Sequence, residues 1–164
     1  MQVFQAWALA LLFCFSLSLD PSASHAASHE TVHVKGAWVR ITIPGRPAAA
    51  YMNIHNMGEK QDKLVGVKTA AAKKAELHTH VMDSDVMQMR KVDSVDIPAK
   101  GMAEFKPGGH HIMLFGLAEE LEKGDKVPLT LIFEQAGDVQ ITVVVQDKAP
   151  EGMDHGSMSH GSGN

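Results

Sequence analysis

The sequence predicts an all-β domain, either a β-sandwich or a Greek-key barrel. Two observations predict this fold class. Short runs in which apolar and polar residues alternate recur between turn-forming residues. No segment has the length and the 3.6-residue periodicity of a long amphipathic helix. A chain of 164 residues is compatible with a single domain of this kind.

The predicted elements follow from alternation and from turn residues. The strands are, in order, Val32 to Trp38, Ala49 to Asn56, Lys63 to Thr69, Glu76 to Val81, Val86 to Val92, His110 to Phe115, Leu129 to Phe133 and Val139 to Val145. Turns are predicted at Asn56–Gly58, Asp83–Asp85, Pro107–Gly109 and Gly137–Asp138. Two short segments are helix-like, namely Ala70–Lys74 and Leu117–Leu121.

The N-terminal region has the features of a secretory signal peptide. Ala6 to Leu19 is almost wholly apolar but is too short for a membrane span. Small residues at Ser24 and Ala26 predict cleavage before Ala27. The region before the apolar run lacks Lys and Arg, so a retained anchor is the alternative. Three units are therefore predicted: residues 1–26 as the signal, 27–147 as the domain, and 148–164 as a flexible tail.

Signal cleavage would remove Cys14, which is the only cysteine. Processing as a lipoprotein at this residue is disfavoured, because Leu11–Phe13 lacks the small residues that such processing needs. A mature chain without a thiol cannot form a zinc–thiolate site, a cysteine nucleophile or a blue-copper centre. No Ser/His/Asp or paired-carboxylate arrangement stands out, so we do not expect an enzyme. The net charge of −4 gives no basic surface for nucleic acid or for a membrane, and no membrane insertion is expected after cleavage.

Histidine and methionine, ten of each, are unusually frequent and recur close together. His78, Met89, His111 and Met113 combine imidazole nitrogen with thioether sulfur, a donor set suited to copper(I). A single methionine usually fills a core, and a single histidine is usually a surface residue. Repeated co-occurrence favours a metal site instead. Alternation leaves His80 and Met87 as further possible ligands, and it places His110 on the opposite face from His111.

The segments Glu76–His78, Val86–Arg90 and Pro107–Leu114 resemble the PCuAC family of periplasmic copper chaperones. The family signature H-x10-M-x21-H-x-M matches at all four positions. The upstream segments Ala37–Arg40 and Ala48–Met52 are also similar to the family. This resemblance implies a cupredoxin-like β-barrel, one bound copper(I), and His78, Met89, His111 and Met113 as its ligands. It also implies a periplasmic location and delivery of copper to the dinuclear copper site of cytochrome c oxidase.

Three classes of function follow from these observations. The first is a copper(I) chaperone that transfers its ion to the copper-bearing subunit of cytochrome c oxidase or to another chaperone. The second is a periplasmic buffer or resistance protein that sequesters copper. The third is an electron carrier or redox enzyme, which the loss of the only thiol argues against. We expect the protein to be a monomer.

Both ends of the mature chain offer secondary donors. The tail contains Met153, His155, Met158 and His160 among small polar residues. We hypothesise that it gathers copper, with the histidines suited to copper(II) and the thioethers to copper(I). Cleavage before Ala27 would also place His29 third from a free amine, which favours square-planar copper(II).

Overall fold

The computed structural model describes residues 31–40 and 43–150, and these form ten β-strands with no helix. The strands are β1 Val32–Arg40, β2 Ala48–Asn56, β3 Asp62–Lys68, β4 Ala72–Asp83, β5 Val86–Lys91, β6 Val95–Ile97, β7 Met102–Phe105, β8 His111–Leu117, β9 Lys126–Phe133 and β10 Gly137–Gln146. The predicted all-β class is confirmed. No helix in this part of the chain is long and apolar enough to cross a membrane.

The strands form one mixed sheet in the order β5-β4-β8-β2-β1-β10-β9-β3-β6, with β7 also pairing with β2. Strand β2 changes partner along its length. Its first residues, Ala48–Ala50, pair with β8, and its later residues, from Met52 to His55, pair with β7. The first and last strands, β1 and β10, lie side by side in parallel, while the other pairings are antiparallel. Neighbours in space are thus often distant in sequence, as the predicted sandwich or barrel requires.

The core is built from one face of the strands other than β5, because alternate side chains point to opposite faces; the six residues of β5 are all exposed. Large side chains that are fully buried include Met52, Ile54, Leu64, Phe105, Ile112, Leu114, Leu129 and Leu131. The clear alternation in β9 therefore reflects the buried face that the sequence predicts.

A β-bulge in β1 separates its two halves. The register shifts between Lys35 and Trp38, and Gly36 has a φ of 60°. The extra residue reverses the alternation, so that Val39 enters the core and Trp38 lies on the other face. The prediction of one uninterrupted alternation from Val32 to Trp38 was therefore wrong.

The two predicted helix-like segments are also wrong. Residues from Ala72 to Lys74 begin β4 and pair with the end of β8, while Leu117 ends β8. Alanine and lysine favour helices in isolation, but pairing with a neighbouring strand overrides that weak preference. The short strands β6 and β7 were not predicted.

Asp62 joins β3 to the turn that follows β9. The residue is 4% exposed, and its carboxylate accepts hydrogen bonds from the backbone N–H groups of Lys63 (2.7 Å), Gln135 (2.9 Å) and Ala136 (3.0 Å). Backbone N–H groups that are buried need acceptors, and a carboxylate is a strong one. Asp62 therefore ties the start of β3 to the turn after β9.

The hairpin of β4 and β5 has a two-residue turn. Ser84 and Asp85 have φ angles of 49° and 66°, as a type I′ turn requires. This turn matches the twist of the strands and fixes their register. Arg90 supports the same register with a hydrogen bond to Asp83 at 3.0 Å.

Candidate functional site

The outward face of the β5-β4-β8-β2-β1 portion of the sheet carries the predicted metal-ligating residues. His78 on β4 lies directly opposite His111 on β8, and Met89 on β5 lies opposite His80. Met113, two residues after His111, is half-buried between Glu76 and Ala49 of the neighbouring strands. Residues two apart on a strand share a face. The structure thus brings all four predicted side chains to one face.

His111 has its tautomer fixed by its surroundings. Its Nδ1 lies 2.9 Å from the carbonyl oxygen of Gly109, which can only accept a hydrogen bond, so Nδ1 carries the proton. Burial lowers the pKa of His111; the hydrogen bond to Gly109 opposes this effect, and the nearby His80 and His78 add to it, so the neutral ring is favoured at pH 7. The lone pair of Nε2 then points towards Sδ of Met89, 2.9 Å away.

The ring of His78 donates its hydrogen bond through the other nitrogen, Nε2. Its Nε2 lies 3.1 Å from a carboxylate oxygen of Glu76 and donates to it. Its Nδ1 is buried and has no hydrogen-bond partner among the residues that the structure describes. Such atoms are uncommon, and Nε1 of Trp38 and Nδ1 of His110 are the others in this part of the chain. In the neutral ring, Nδ1 is the atom that carries the free lone pair.

Glu76 is held as an anion. The pKa of its carboxyl group is lowered to about 2, first by the hydrogen bond from His78 and then by Lys74 and Lys91. Its Oε1 lies 3.3 Å from the Lys74 ammonium and 3.4 Å from that of Lys91. Glu76 therefore fixes both the ring orientation and the proton of His78, the role that carboxylates often have behind metal-binding histidines. Its spacing of two residues before His78 was the sequence signal that could have identified it.

The structure separates the two alternatives, His80 and Met87. The His80 ring centroid is 5.0 Å from that of His111, closer than the 5.9 Å between His78 and His111. Met87 lies at the tip of the hairpin, opposite Met82. His80 therefore borders the candidate site, whereas Met87 lies one rung further towards the turn.

His110 faces away from the site, as alternation predicted. Its ring packs against Phe105 of the core, with centroids 5.9 Å apart. Burial lowers the pKa of His110. This residue therefore belongs to the packing behind the sheet.

Two aromatic side chains extend the face beyond His111. Tyr51 lies with its ring centroid 6.4 Å from that of His111, and Trp38 lies 5.0 Å from Tyr51. The bulge in β1 makes this stack possible, because it turns Trp38 to the outward face. Burial raises the pKa of Tyr51, so its phenol stays protonated at neutral pH.

A metal held here would need mixed donors. Among residues 31–40 and 43–150, no three His, Cys, Asp or Glu side chains are grouped in a way that could hold a metal ion. The free nitrogen atoms of His78 and His111, together with nearby thioethers, instead form a set of neutral donors. Such a set fits a soft monovalent ion, because sulfur ligands favour copper(I).

Several predicted features lie outside the described residues. These are the signal peptide with Cys14, the N-terminal His29, and the tail donors Met153, His155, Met158 and His160.

Comparison with known proteins gives the family. The model of the family described as "Putative lipoprotein LpqE-like" matches residues 32–145. The chain belongs to the LpqE-like family. A similar protein is "Putative lipoprotein Lxx21020" of Leifsonia xyli subsp. xyli. The two are 35% identical over 117 residues, which cover 71% of this chain and 70% of that protein.

Solved structures connect this LpqE-like chain with PCuAC domains. The copper-bound PCuAC domain from PmoF2 has a TM-score of 0.61 and 27% identity, covering 73% of this chain and 94% of that domain. The solution structure of CuI-DR1885 from Deinococcus radiodurans has a TM-score of 0.58 and 30% identity, covering 76% and 84%. The resemblance to the PCuAC family and the cupredoxin-like fold are therefore confirmed.

Proposed function

We propose that this protein is an extracytoplasmic copper(I) chaperone that works in the periplasm. It binds one copper(I) through Nδ1 of His78, Sδ of Met89, Nε2 of His111 and Sδ of Met113. It then passes the ion to an acceptor, for which the dinuclear copper site of cytochrome c oxidase is our candidate. Its role is binding and transfer, without catalysis.

The observation that carries this proposal is the approach of His111 Nε2 to Met89 Sδ, at 2.9 Å. With Nδ1 of His111 donating to Gly109, both facing atoms present lone pairs. Two atoms that point their lone pairs at each other favour a cation between them that accepts electron pairs from both. Met89 is unbranched and half exposed, so a rotation of its side chain admits the ion. The free Nδ1 of His78 adds a further donor on the same face.

The relatives support copper as the ion. One similar structure is a copper-bound PCuAC domain, and another is a CuI form of DR1885. Four neutral donors leave the charge of the ion uncompensated, whereas a thiolate would neutralise it. A thiolate-free site therefore suits a protein that must release its copper.

X-ray absorption of the protein with one equivalent of copper(I) tests the ligand set. We expect a shell of mixed sulfur and nitrogen donors. A variant in which Met153 and Met158 become leucine and His155 and His160 become alanine serves as the control, and its spectrum should be unchanged. An all-nitrogen shell would contradict the proposal.

Transfer separates a chaperone from a copper buffer. The copper(I)-loaded protein is mixed with an apo oxidase domain that carries the dinuclear copper site, and copper in each protein is measured after separation. A chaperone loads the acceptor, whereas a buffer keeps its ion.

Replacing Glu76 with glutamine is expected to weaken copper(I) binding about tenfold. The amide no longer offers two charged acceptor atoms, so it holds the Nε2 proton of His78 less firmly. A competition titration with a copper(I) chelator measures the change. Glu104→Gln is the matched control, since Glu104 is an exposed carboxylate paired only with Lys106 among the described ion pairs. Equal affinities for the two variants would exclude the positioning role.

Copper(I) affinity is also expected to fall on acidification, but only below about pH 6.5. A proton on Nε2 removes the lone pair that binds copper, and burial lowers the pKa of His111 from its ordinary value. Below that pKa, the contribution of His111 decreases about tenfold per pH unit. Chelator competition across this range measures the slope. The slope should be reduced in His111→Ala, and an unchanged affinity near pH 5 would show that the histidines are not ligands.

A further inference from the structure

The tip of the β4–β5 hairpin exposes methionines on the face that carries the candidate site. Met82 pairs with Met87, and His80 pairs with Met89 one rung closer to the sheet. Met82, Met87 and Met89 are 65%, 59% and 48% exposed, whereas Met52 in the core is fully buried. These three thioethers therefore do not serve to fill the interior.

The charged pair Asp83 and Arg90, in the outer part of the hairpin, lies on its other face. Arg90 contacts Asp83 at 3.0 Å and Gln88 at 3.1 Å, and the register places these residues opposite Thr79, Val86 and Val81. The two outer rungs of the site face thus present only Met82, Met87, His80 and Met89. Neutral soft donors with no competing carboxylate suit a soft monovalent cation better than a hard ion.

Distances within the hairpin allow one ion to be shared. Directly opposed residues in an antiparallel pair have Cβ atoms about 5 Å apart, and methionine has three rotatable bonds, so the sulfur atoms of Met82 and Met87 can meet at one ion. The next rung on the same face is about 7 Å away. That rung contains Met89, whose sulfur already lies 2.9 Å from Nε2 of His111. Donors therefore continue without a gap from the hairpin tip to the buried histidine.

We propose that Met82 and Met87 form an outer, weaker site for copper(I), through which the ion enters and leaves the inner site. This inference rests on the proposed function. The ion stays monovalent throughout: a bond to His80 or Met89 forms as a bond to Met82 or Met87 breaks. No electron or proton has to move. The tight turn at Ser84 and Asp85 keeps the two thioethers opposite each other while the ion exchanges.

Nuclear magnetic resonance of the full chain, labelled with ¹³C at its methionine methyl groups, tests the outer site. Silver(I) is the probe, because it is soft, monovalent and stable to oxidation. The first equivalent should shift the Met89 and Met113 signals. Further silver(I) should shift Met82 and Met87 together. Shifts at Met89 and Met113 with none at Met82 and Met87 would overturn the outer site alone. No shift at Met89 and Met113 would overturn the proposed function as well.

Loading kinetics provide the second test. The double variant Met82→Leu, Met87→Leu keeps the size and apolar character of both side chains. Its inner site should bind copper(I) with unchanged affinity. Loading of that site from a copper(I)–chelator complex should be at least about fivefold slower. The control is Met57→Leu, Met102→Leu, which removes two exposed methionines elsewhere and should load at the original rate. Equal rates for the two double variants, or an affinity loss confined to the first, would overturn the proposal.

Discussion

Replacing His111 with alanine is expected to lower copper(I) affinity at least about 100-fold, which exceeds the usual effect of removing a residue behind a metal ligand. The change removes the Nε2 lone pair that faces Met89 and leaves that thioether without its nitrogen partner. His78 loses the ring that lies opposite it on β8. The remaining donors cannot enclose the ion from this side. Competition with a copper(I) chelator measures the loss.

His110→Ala is the matched control for this prediction. The two histidines are adjacent, but His110 packs against Phe105 and not against the proposed ligands. Its replacement should leave copper(I) affinity within about twofold. Because His111 is itself buried, thermal unfolding of both variants shows whether each still folds. A folded His111→Ala protein with near-normal affinity would exclude this histidine as a ligand.

Of the variants proposed, Asp62→Ala is expected to lose the most stability, about 3 kcal/mol in the free energy of unfolding. Its carboxylate accepts three backbone hydrogen bonds, and alanine leaves those N–H groups without their acceptor. For a domain of this size, the loss lowers Tm by about 10 °C. Urea or thermal denaturation of the metal-free protein measures the change. Copper(I) affinity of the folded fraction should not change, because the Asp62 carboxylate hydrogen-bonds to Lys63, Gln135 and Ala136 and to none of the proposed ligands.

The control for Asp62→Ala is Asp138→Ala. Asp138 is exposed and follows the same turn, next to Gly137. Its replacement should alter the free energy of unfolding by less than about 0.5 kcal/mol. If the two variants were equally stable, the hydrogen bonds of Asp62 would not be the cause.

The fold could be predicted where the sequence carries strong alternation. Leu129, Leu131 and Phe133 predicted β9 correctly, because one face of that strand is buried. The segment Ala72–Lys74 could not be predicted as strand, because its residues prefer helices and only its pairing with β8 decides the outcome. Strands β6 and β7 are too short to show a period. Gly36 was the available signal for the bulge in β1, because a glycine inside a strand often marks one.

The candidate site shows a similar division. Parity correctly placed His78 and His80 on one face, and His110 on the other. Parity could not show that His80 lies beside the His111 ring while Met87 lies one rung further away. The position of the hairpin turn decides which rung each residue occupies. The sequence also could not predict which ring nitrogen of His78 and of His111 carries the proton. The proton positions depend on the Gly109 carbonyl and on the Glu76 carboxylate, which the fold brings to the two rings. The four ligand assignments remain predictions.

The parallel pairing of β1 with β10 determines where the chain leaves the sheet. Gln146 lies opposite Arg40, Arg40 opposite Ala49, and Ala49 opposite Met113. Three strand spacings, about 14 Å, therefore separate the end of β10 from the site. A flexible glycine- and serine-rich segment of about six to eight residues has this r.m.s. span, and a short linker of this kind gives an effective concentration in the millimolar range. For the hypothesised copper-gathering tail, each ion it holds would thus meet the site as an intramolecular partner, independently of protein concentration.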